Sequence, residues 1–553
     1  MAWYDEAVFY HIYPLGLTGA PKQNDYGEPV ARLRTLHPWI EHIKRLGCTA
    51  LYIGPLFQSV GHGYETTDYR MLDTRLGTND DLVEFVRACH MAGLKVVFDG
   101  VFNHTGRDFF AFRDIREKRE ASPYRDWYCN VNFWGNNEYG DGFSYDTWGG
   151  YDLLAKLNQR NPAVRDYLCD VVRFWVSEFD IDGIRLDAAD VLDFDFMRDL
   201  RRTADEAKPD FWLMGEVIHG DYSRWANERT LRSVTDYALH KGLYSGHNDH
   251  NYFEIAHTVR RTLGMVPAHI KLYNFVDNHD VERITTKLRN KAHYLPVHVL
   301  LYTLPGIPSI YYGSEFGIEG RKERFSDDSL RPHIDLADYA DAYETNPCTR
   351  LCAALGQIHA EFAADLAAGD YRELALTTEQ YAFGRGNLIV AVNNATSEAR
   401  IEVPAAADAY VGLLGGERVE VEDGRLVVEL PACGGEILAP EGYVAGGETL
   451  ASEGHVAGGE TLASEGHAAR PIEPLDLAAF EPEPEIEPEI ALAEELADVE
   501  IPAVPYDEMT VEQLQAVILG KMAKNGPVTD QMRADVRNNV WHNSLVNWAN
   551  SFR

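Results

Sequence analysis

The chain has 553 residues, of which 45% are hydrophobic and 11% aromatic, enough for a large buried core and more than one domain. Its formal net charge of −36 argues against a nucleic acid partner, because phosphate binding needs clustered Lys and Arg side chains. A neutral, polar ligand fits this charge better.

The cysteines and the apolar stretches exclude further classes. The seven cysteines are scattered and form no Cys-x-x-Cys pair, which indicates reduced thiols and no zinc site. The sequence does not open with a basic region followed by an apolar run, and no apolar stretch reaches membrane-spanning length. We therefore expect a soluble, cytoplasmic protein without a membrane partner.

Short β-rich runs alternate with helical patterns over the first part of the chain, which is typical of parallel βα units. Eight such runs predict a (β/α)₈ barrel, whose active site is assembled at the carboxyl ends of the strands. The predicted strands are 8–14, 50–57, 96–103, 183–187, 211–217, 233–238, 272–277 and 309–312.

The remaining segments complete the predicted domain organisation. The helix after the third strand is expected to begin only at Asn161, as N-cap, followed by Pro162. The excursion before it is too long for an ordinary loop and predicts an inserted subdomain. Alternating strands beyond residue 370 predict a β-sandwich. The predicted domains are the barrel (1–104 and 159–369), the subdomain (105–158), the sandwich (370–440), an acidic linker (441–505) and a helical module (506–553).

The predicted linker has an unusual composition. Residues 444–455 are repeated as 456–467, and between 441 and 500 there are 16 acidic side chains and one basic side chain. Such a segment cannot bury enough apolar surface to offset its ordering entropy, so we expect it to be disordered. The helical module after it is either a plain packed bundle or a tethered module that binds a protein or glucan partner.

Four of the predicted strands carry a carboxylate at or near their ends, and this is the most informative feature of the sequence. They are Asp99, Asp187, Glu216 and Asp280. One acid at a strand end is usually solvated or caps a helix, but several at one rim bring like charges together at a cost in stability. Glycoside hydrolysis needs such a group of acids, because one carboxylate attacks the anomeric carbon while another protonates the leaving oxygen.

Arg185 lies two residues before Asp187, so both side chains point to the same face of their strand. A guanidinium there is expected to keep Asp187 ionised and oriented as a nucleophile. Glu216, at the end of the next strand, would face that negative charge. We expect its pKa to rise, which suits a general acid.

These strand-end segments resemble the four signature regions of the α-amylase family of glycoside hydrolases. Three further segments agree, in the same order along the chain, and the form of residues 154–158 is most similar to the neopullulanase and cyclomaltodextrinase branch. The resemblance covers about residues 1–440. Its segments are 97–104, 183–187, 214–217 and 275–280, with 47–55, 154–158 and 306–313.

The resemblance implies a role for each matching residue. Asp187 matches the nucleophile, Glu216 the acid/base, and Asp280 a third carboxylate that binds sugar hydroxyls and supports distortion of the ring. The expected contacts to the same sugar are His104, His279, the aromatic platform Tyr64 and, beside the nucleophile, Arg185. Asp99 resembles a structural acid that orients its neighbours.

Three further residues carry weaker expectations. Asp327 and Arg331 resemble a second-subsite contact, although an exposed loop ion pair fits their spacing equally well. Asn103 matches a calcium ligand of the calcium-dependent members. Since no partner acids can be identified from spacing, we predict no cofactor and no metal site.

The resemblance predicts a retaining hydrolase of α-1,4 bonds, and of α-1,6 bonds as a further possibility, in maltodextrins, starch or cyclodextrins. A transglycosylase is the alternative within the same chemistry, because a sugar hydroxyl can replace water in the second step. A non-catalytic glucan-binding protein is the alternative from another class, but such proteins usually lose a carboxylate, and here all three are present.

Overall fold

The computed structural model describes residues 2–324, 326–367, 370–444, 474–475, 477–480, 514–515 and 517–519. The chain divides into two compact units, Met1–Glu481 and Pro482–Arg553. The predicted acidic linker and helical module lie largely outside the described residues. Of the module, residues 514–515 and 517–519 are helical, and the side chains of Leu514, Val517 and Ile518 are buried.

Eight parallel strands form the central sheet of the first unit, as predicted. In chain order they are β1 (Phe9–Ile12), β2 (Ala50–Ile53), β3 (Lys95–Gly100), β4 (Gly183–Leu186), β5 (Trp212–Gly215), β6 (Ser233–Val234), β7 (Tyr273–Phe275) and β8 (Ile307–Tyr311). Their order in the sheet is β6-β5-β4-β3-β2-β1-β8-β7. The sheet closes because the Asp236 amide donates to the Tyr273 carbonyl at 2.9 Å, which joins β6 to β7. The (β/α)₈ barrel is confirmed.

Helices cover the outside of the barrel. The main ones are His37–Arg45, Asn79–Met91, Pro162–Phe179, Phe194–Ala207, Tyr237–Asn248, Tyr252–Met265, Tyr294–Thr303 and Pro347–Glu361. The other α-helices are Phe110–Lys118 in the inserted segment and the short Pro14–Leu17, Ile284–Lys287, Ala342–Thr345 and Ala363–Ala367. Between β5 and β6 the described chain has only the 3₁₀ turn Tyr222–Arg224, so this unit departs from the regular pattern. Every helix among the described residues is too short or too polar to cross a lipid bilayer.

The helix Pro162–Phe179 begins where the sequence predicts. The Asn161 side chain accepts a hydrogen bond from the Ala163 amide at 3.0 Å, and Pro162 occupies the first turn. Its apolar face, which includes Val164, Leu168, Val171, Trp175 and Phe179, is buried against the barrel. The N-cap prediction is therefore confirmed.

The long excursion between β3 and this helix forms a small folded layer above the carboxyl end of the barrel. Its sheet consists of His104–Thr105, Thr147–Trp148 and Tyr151–Lys156, which pair antiparallel. Phe112 and Phe143 are fully buried beneath it, with the helix Phe110–Lys118 packed alongside.

Eight antiparallel strands form the C-terminal sheets. They are β9 (Arg372–Leu376), β10 (Gln380–Arg385), β11 (Leu388–Asn393), β12 (Ala399–Pro404), β13 (Ala409–Gly412), β14 (Arg418–Glu422), β15 (Arg425–Leu430) and β16 (Gly435–Pro440), in the order β9-β10-β11-β16-β13-β14-β15-β12. In β12 and β15 buried and exposed side chains alternate, as expected for a half-buried strand. This confirms the predicted C-terminal β-domain, whereas the limits given above for the individual domains stay predictions.

The barrel interior differs between its two ends. Towards the amino ends of the strands it is filled by aromatic rings: Phe9 stacks on Trp212 at 4.7 Å between ring centroids and meets Tyr273 edge-on at 5.5 Å. All three side chains are buried. Towards the carboxyl ends, polar and charged side chains replace them.

Candidate active site

The carboxyl ends of β3, β4, β5 and β7 bring the four sequence-predicted acids to one rim of the barrel. Asp99 lies within β3, Asp187 and Glu216 directly follow β4 and β5, and Asp280 lies in the loop after β7. Parallel strands present the same end to the same side, so this grouping follows from the fold.

Arg185 lies at the centre of the acids and holds three of them. Its Nη1 donates to Asp99 Oδ1 at 2.9 Å and to Asp187 Oδ1 at 3.0 Å. Its Nη2 lies 3.0 Å from Glu216 Oε2. The register of the sheet sets Asp99 directly opposite Arg185, and the guanidinium is only 4% exposed. One planar group thus fixes Asp187 and Glu216 side by side.

The surroundings of Glu216 include two contacts that the sequence argument missed. The backbone amide of Ala188 donates to Glu216 Oε2 at 3.0 Å. Ala188 has a φ of 45°, a left-handed conformation that is unusual for a residue with a Cβ. Tyr237 follows Asp236, whose amide closes the barrel, and the Tyr237 hydroxyl lies 3.5 Å from Glu216 Oε1. The position of Tyr237 near the end of a predicted strand was the available signal for it.

Asp280 is held from the opposite side. Arg331 Nη2 donates to Asp280 Oδ1 at 2.8 Å and to Asp327 Oδ2 at 3.3 Å, while its Nε donates to the His279 carbonyl at 2.9 Å. The Asp327 and Arg331 pair predicted from spacing is therefore present, but the Arg331 side chain is only 12% exposed. It ties Asp280 into the rim and is not a free surface ion pair.

Burial and charge shift the acidity of these groups in different directions. Burial raises the pKa of Asp187 well above its usual value; Arg185 opposes this shift and Glu216 adds to it. Burial also raises the pKa of Glu216, against the effect of Arg185 and with that of Asp280. Burial acts in the same direction on Asp280, but His279 and Arg331 outweigh it and bring the pKa of Asp280 below its usual value.

This balance modifies the sequence-based expectation for Asp187. Arg185 does favour its ionised form, but one guanidinium faces Asp99, Asp187 and Glu216 together. Three buried carboxylates around one positive charge repel one another less when one of them keeps a proton. They therefore titrate as a group. The rise expected for the pKa of Glu216 is present, with burial as its largest cause.

Tyr64 and the two predicted histidines form the wall next to these acids. The Tyr64 hydroxyl contacts both Asp99 Oδ2, at 3.2 Å, and His279 Nε2, and the two rings are stacked. His104 Nε2 lies 3.1 Å from the Tyr64 carbonyl and its Nδ1 lies 3.2 Å from Asn103 Nδ2. Burial lowers the pKa of both His104 and His279 to about 3, so both rings are neutral at physiological pH.

Two more aromatic residues near this wall were not foreseen. The Tyr52 hydroxyl donates to Asp99 Oδ2 at 2.7 Å, which completes the support of that acid. The Trp148 ring lies parallel to the His104 ring, at 6.5 Å between centroids. Trp148 comes from the inserted layer, whose internal pairing could not be read from the sequence.

Asn103 is the residue at this rim that matches a calcium ligand, so its surroundings show whether calcium fits. Its Oδ1 is buried and has no hydrogen-bond partner, so one oxygen ligand is available. The described part of the chain, however, contains no group of three or more His, Cys, Asp or Glu side chains able to hold a metal ion. Calcium needs six to eight oxygen ligands, most of them acidic or carbonyl, and Asn103 alone does not supply them. The absence of a cofactor stays a prediction.

The comparisons with known proteins agree with this geometry. The family model for the α-amylase catalytic domain matches residues 32–354, more than half of the chain. Among solved structures, the acarbose-soaked debranching enzyme of Nostoc punctiforme superposes on this chain with a TM-score of 0.67. The two sequences are 28% identical, and the match covers 79% of this chain and 98% of that one.

Two curated relatives have sequences similar to this one. A cyclomaltodextrinase of Geobacillus thermopakistaniensis is 29% identical over 481 residues, 80% of this chain and 78% of its own length. An intracellular maltogenic amylase of Bacillus subtilis is 30% identical over 290 residues, 51% of this chain and 48% of its own length. The predicted resemblance is therefore confirmed: the chain belongs to the α-amylase family of glycoside hydrolases.

Proposed function

We propose that this protein hydrolyses α-1,4-glucosidic bonds in maltodextrins and cyclodextrins with retention of configuration, through a glycosyl ester on Asp187. The observation that carries the proposal is the single guanidinium of Arg185, which binds Asp187 at 3.0 Å and Glu216 at 3.0 Å at the same end of the barrel. Two carboxylates held this close suit attack and protonation at one anomeric centre.

In the first step Asp187 acts as the nucleophile and Glu216 as the acid. Asp187 Oδ1 is bound to Arg185, and within the described residues no hydrogen bond reaches Oδ2, which is left to attack the anomeric carbon. As that bond forms, the bond to the leaving oxygen breaks and Glu216 gives this oxygen its proton. The raised pKa of Glu216 keeps the proton available to higher pH than in an ordinary carboxylic acid.

The second step reverses the proton transfer. Glu216, now ionised, takes a proton from water, the resulting hydroxyl attacks the anomeric carbon, and Asp187 leaves as a carboxylate. Asp280 is suited to a different task. His279 and Arg331 hold its pKa below the usual value, so it stays ionised and can accept hydrogen bonds from sugar hydroxyls.

The substrate class rests on two kinds of support. The wall formed by Tyr64, His279 and His104 combines an aromatic face with uncharged ring nitrogens, which suits a neutral sugar. The relatives include, by name, a cyclomaltodextrinase and a debranching enzyme. On this basis we propose α-1,4 bonds as the main target and α-1,6 bonds as a secondary one.

Product analysis tests this proposal. The enzyme should release glucose and maltose from β-cyclodextrin and maltoheptaose with the α-configuration, and pullulan should report α-1,6 cleavage by its products. Oligomers longer than maltotriose formed from maltotriose alone would favour the transglycosylase alternative. Binding of maltoheptaose without any turnover would show the non-catalytic alternative instead.

We also propose that the protein is cytoplasmic and that the C-terminal segment mediates binding to a protein or glucan. One relative is named intracellular, and Cys48, Cys89, Cys129, Cys169, Cys348 and Cys352 are free thiols. Fractionation of the native host tests the location. Removal of residues 441–553 tests the second part: unchanged adsorption to starch and unchanged co-purification of proteins would contradict it.

A further inference from the structure

The two oxygens of Glu216 have different partners. Oε2 accepts from the Ala188 amide at 3.0 Å and faces Arg185 Nη2 at 3.0 Å. A hydrogen bond and a positive charge thus both favour negative charge on Oε2. A proton carried by Glu216 is therefore favoured on Oε1, which is also the oxygen left to meet the substrate.

Oε1 has one side-chain hydrogen-bond donor among the described residues, the hydroxyl of Tyr237 at 3.5 Å. That distance is long for a hydrogen bond between oxygens. Hydrogen bonds of catalytic groups are often long in the free enzyme and shorten when substrate binds. Burial raises the pKa of Tyr237 well above its usual value, and Glu216 adds to the shift, so the hydroxyl keeps its hydrogen.

The direction of the Tyr237 hydroxyl is set by Asn278. The Asn278 Oδ1 accepts from the amides of Asp280 and Val281, at 2.8 Å and 3.1 Å, which fixes which end of the amide is nitrogen. Its Nδ2 then donates to the Tyr237 hydroxyl at 3.3 Å. Because that hydroxyl oxygen already accepts from Asn278, its own hydrogen is free to point at Glu216.

The Tyr237 ring itself has little freedom. It meets Phe275 edge-on at 4.9 Å, and its backbone starts the helix Tyr237–Asn248. The adjacent Asp236 accepts from the Leu239 amide at 2.9 Å and so caps that helix. Ring, backbone and hydroxyl are therefore each held by a separate contact.

We propose that Tyr237 is a positioning residue for the acid/base: its hydroxyl, oriented by Asn278, donates to Oε1 of Glu216 and favours the ionised form that the second step needs. The proposal rests on the proposed function. Tyr237 exchanges no proton with the substrate. A donor to the ionised carboxylate also limits how far burial can raise the pKa of Glu216, and so keeps the group able to work in both directions.

Several other groups face Glu216 and contribute to its titration. They are Asp99 on β3, Arg185 and Asp187 on and after β4, and Asp280 after β7. Removing the Tyr237 hydroxyl leaves all four in place. Loss of one donor to the carboxylate should raise the pKa of Glu216, because the ionised form loses a partner.

The experiment is the pH dependence of kcat/KM on maltotriose for the wild type and for Tyr237→Phe. The high-pH limb reports loss of the proton from the acid, so it should move to higher pH by about half to one unit in the variant, the equivalent of one hydrogen bond. Tyr244→Phe is the matched control, because it removes a hydroxyl from the same helix and should leave the limb unchanged. Equal unfolding temperatures would show that both variants fold.

A second substrate distinguishes a change in proton donation by Glu216 from a general loss of activity in the variant. Fluoride needs little protonation to leave, so kcat/KM of Tyr237→Phe on α-maltosyl fluoride should stay within about twofold of the wild type. A high-pH limb that overlays the wild-type limb, or that moves equally in Tyr244→Phe, would overturn the inference. A wild type inactive on every α-glucan would instead overturn the proposed function.

Discussion

The two ends of the same eight strands are built on opposite principles. At the amino ends, Phe9, Trp212 and Tyr273 fill the barrel with stacked and edge-on rings. At the carboxyl ends, Arg185 holds Asp99, Asp187 and Glu216 within hydrogen-bond distance of one guanidinium. The first arrangement gains stability from the removal of apolar surface from water, and the second gives up stability by placing like charges together.

The comparison indicates that the barrel separates stability from chemistry along its axis. A substitution at the rim should therefore change activity with little loss of stability, and one in the aromatic layer should do the reverse. Each of the following variants tests one side of that separation.

The largest expected effect is at the nucleophile. Asp187→Asn should lower kcat/KM on maltoheptaose by about 10⁴-fold, because an amide cannot form the glycosyl ester. Its unfolding temperature at pH 7 should be equal to or above that of the wild type. Arg185 would then face two carboxylates instead of three. Activity assays and thermal unfolding of the same preparation measure both effects.

The sign of the stability change depends on pH. Burial raises the pKa of Asp187, so its ionisation costs stability as the pH rises through that value. Any gain in the Asn variant should thus shrink at low pH, where the wild-type residue holds its own proton. Asp338→Asn, at an exposed carboxylate, is the control and should change neither property. Marked destabilisation of Asp187→Asn at pH 7 would contradict the picture of a strained rim.

The next largest effect is in the aromatic layer. Trp212 is fully buried, so Trp212→Ala should lower the free energy of unfolding by about 3–5 kcal/mol through lost burial and a cavity. Urea denaturation measures the loss, and kcat of the folded variant should stay within a few fold of the wild type. Trp134→Ala makes the same change at a ring that is 97% exposed and should cost less than about 0.5 kcal/mol. Similar losses in the two variants would remove the distinction between layer and surface.

The barrel could be predicted well from the sequence because each strand is marked by local composition. Each observed strand overlaps its predicted run, from β1 to β8, since β-rich composition and turn residues mark strands independently of their partners. The predicted ends overshoot: the run 233–238 contains a strand of only Ser233–Val234. Residues 235–236 bridge to the next strand and cap a helix, and residues 237–238 already belong to the helix Tyr237–Asn248, a change that composition does not mark.

The site could be predicted residue by residue but not contact by contact. Which acids follow which strands is written in the sequence, and so is the spacing of Arg185 and Asp187 on one face. That Arg185 also reaches Glu216 depends on strand register and barrel curvature. The Ala188 amide is less predictable still, because it depends on a left-handed backbone at a residue that is not glycine.

The smallest effect tests a buried acid between the two regions. Burial raises the pKa of Asp236 from 3.8 to about 6, against the hydrogen bond from the Leu239 amide. A raised acid pKa means that the folded state keeps its proton longer, so stability falls as the pH rises from about 4 to about 6 and stays lower above that range. Asp236→Asn keeps the helix cap without the charge. It should therefore be more stable than the wild type above pH 6, by at most about 3 kcal/mol.

The pH profile of that difference separates burial from capping. Between the wild type and Asp236→Asn, the gap in unfolding temperature should open between pH 4 and 6 and then remain constant. Asp193 caps the helix Phe194–Ala207 in the same way, but its side chain is 23% exposed. Asp193→Asn should therefore show a small gap without this step. If both variants gave the same profile, the loss of stability would come from helix capping by any carboxylate. Burial of the charge of Asp236 would then not be its cause.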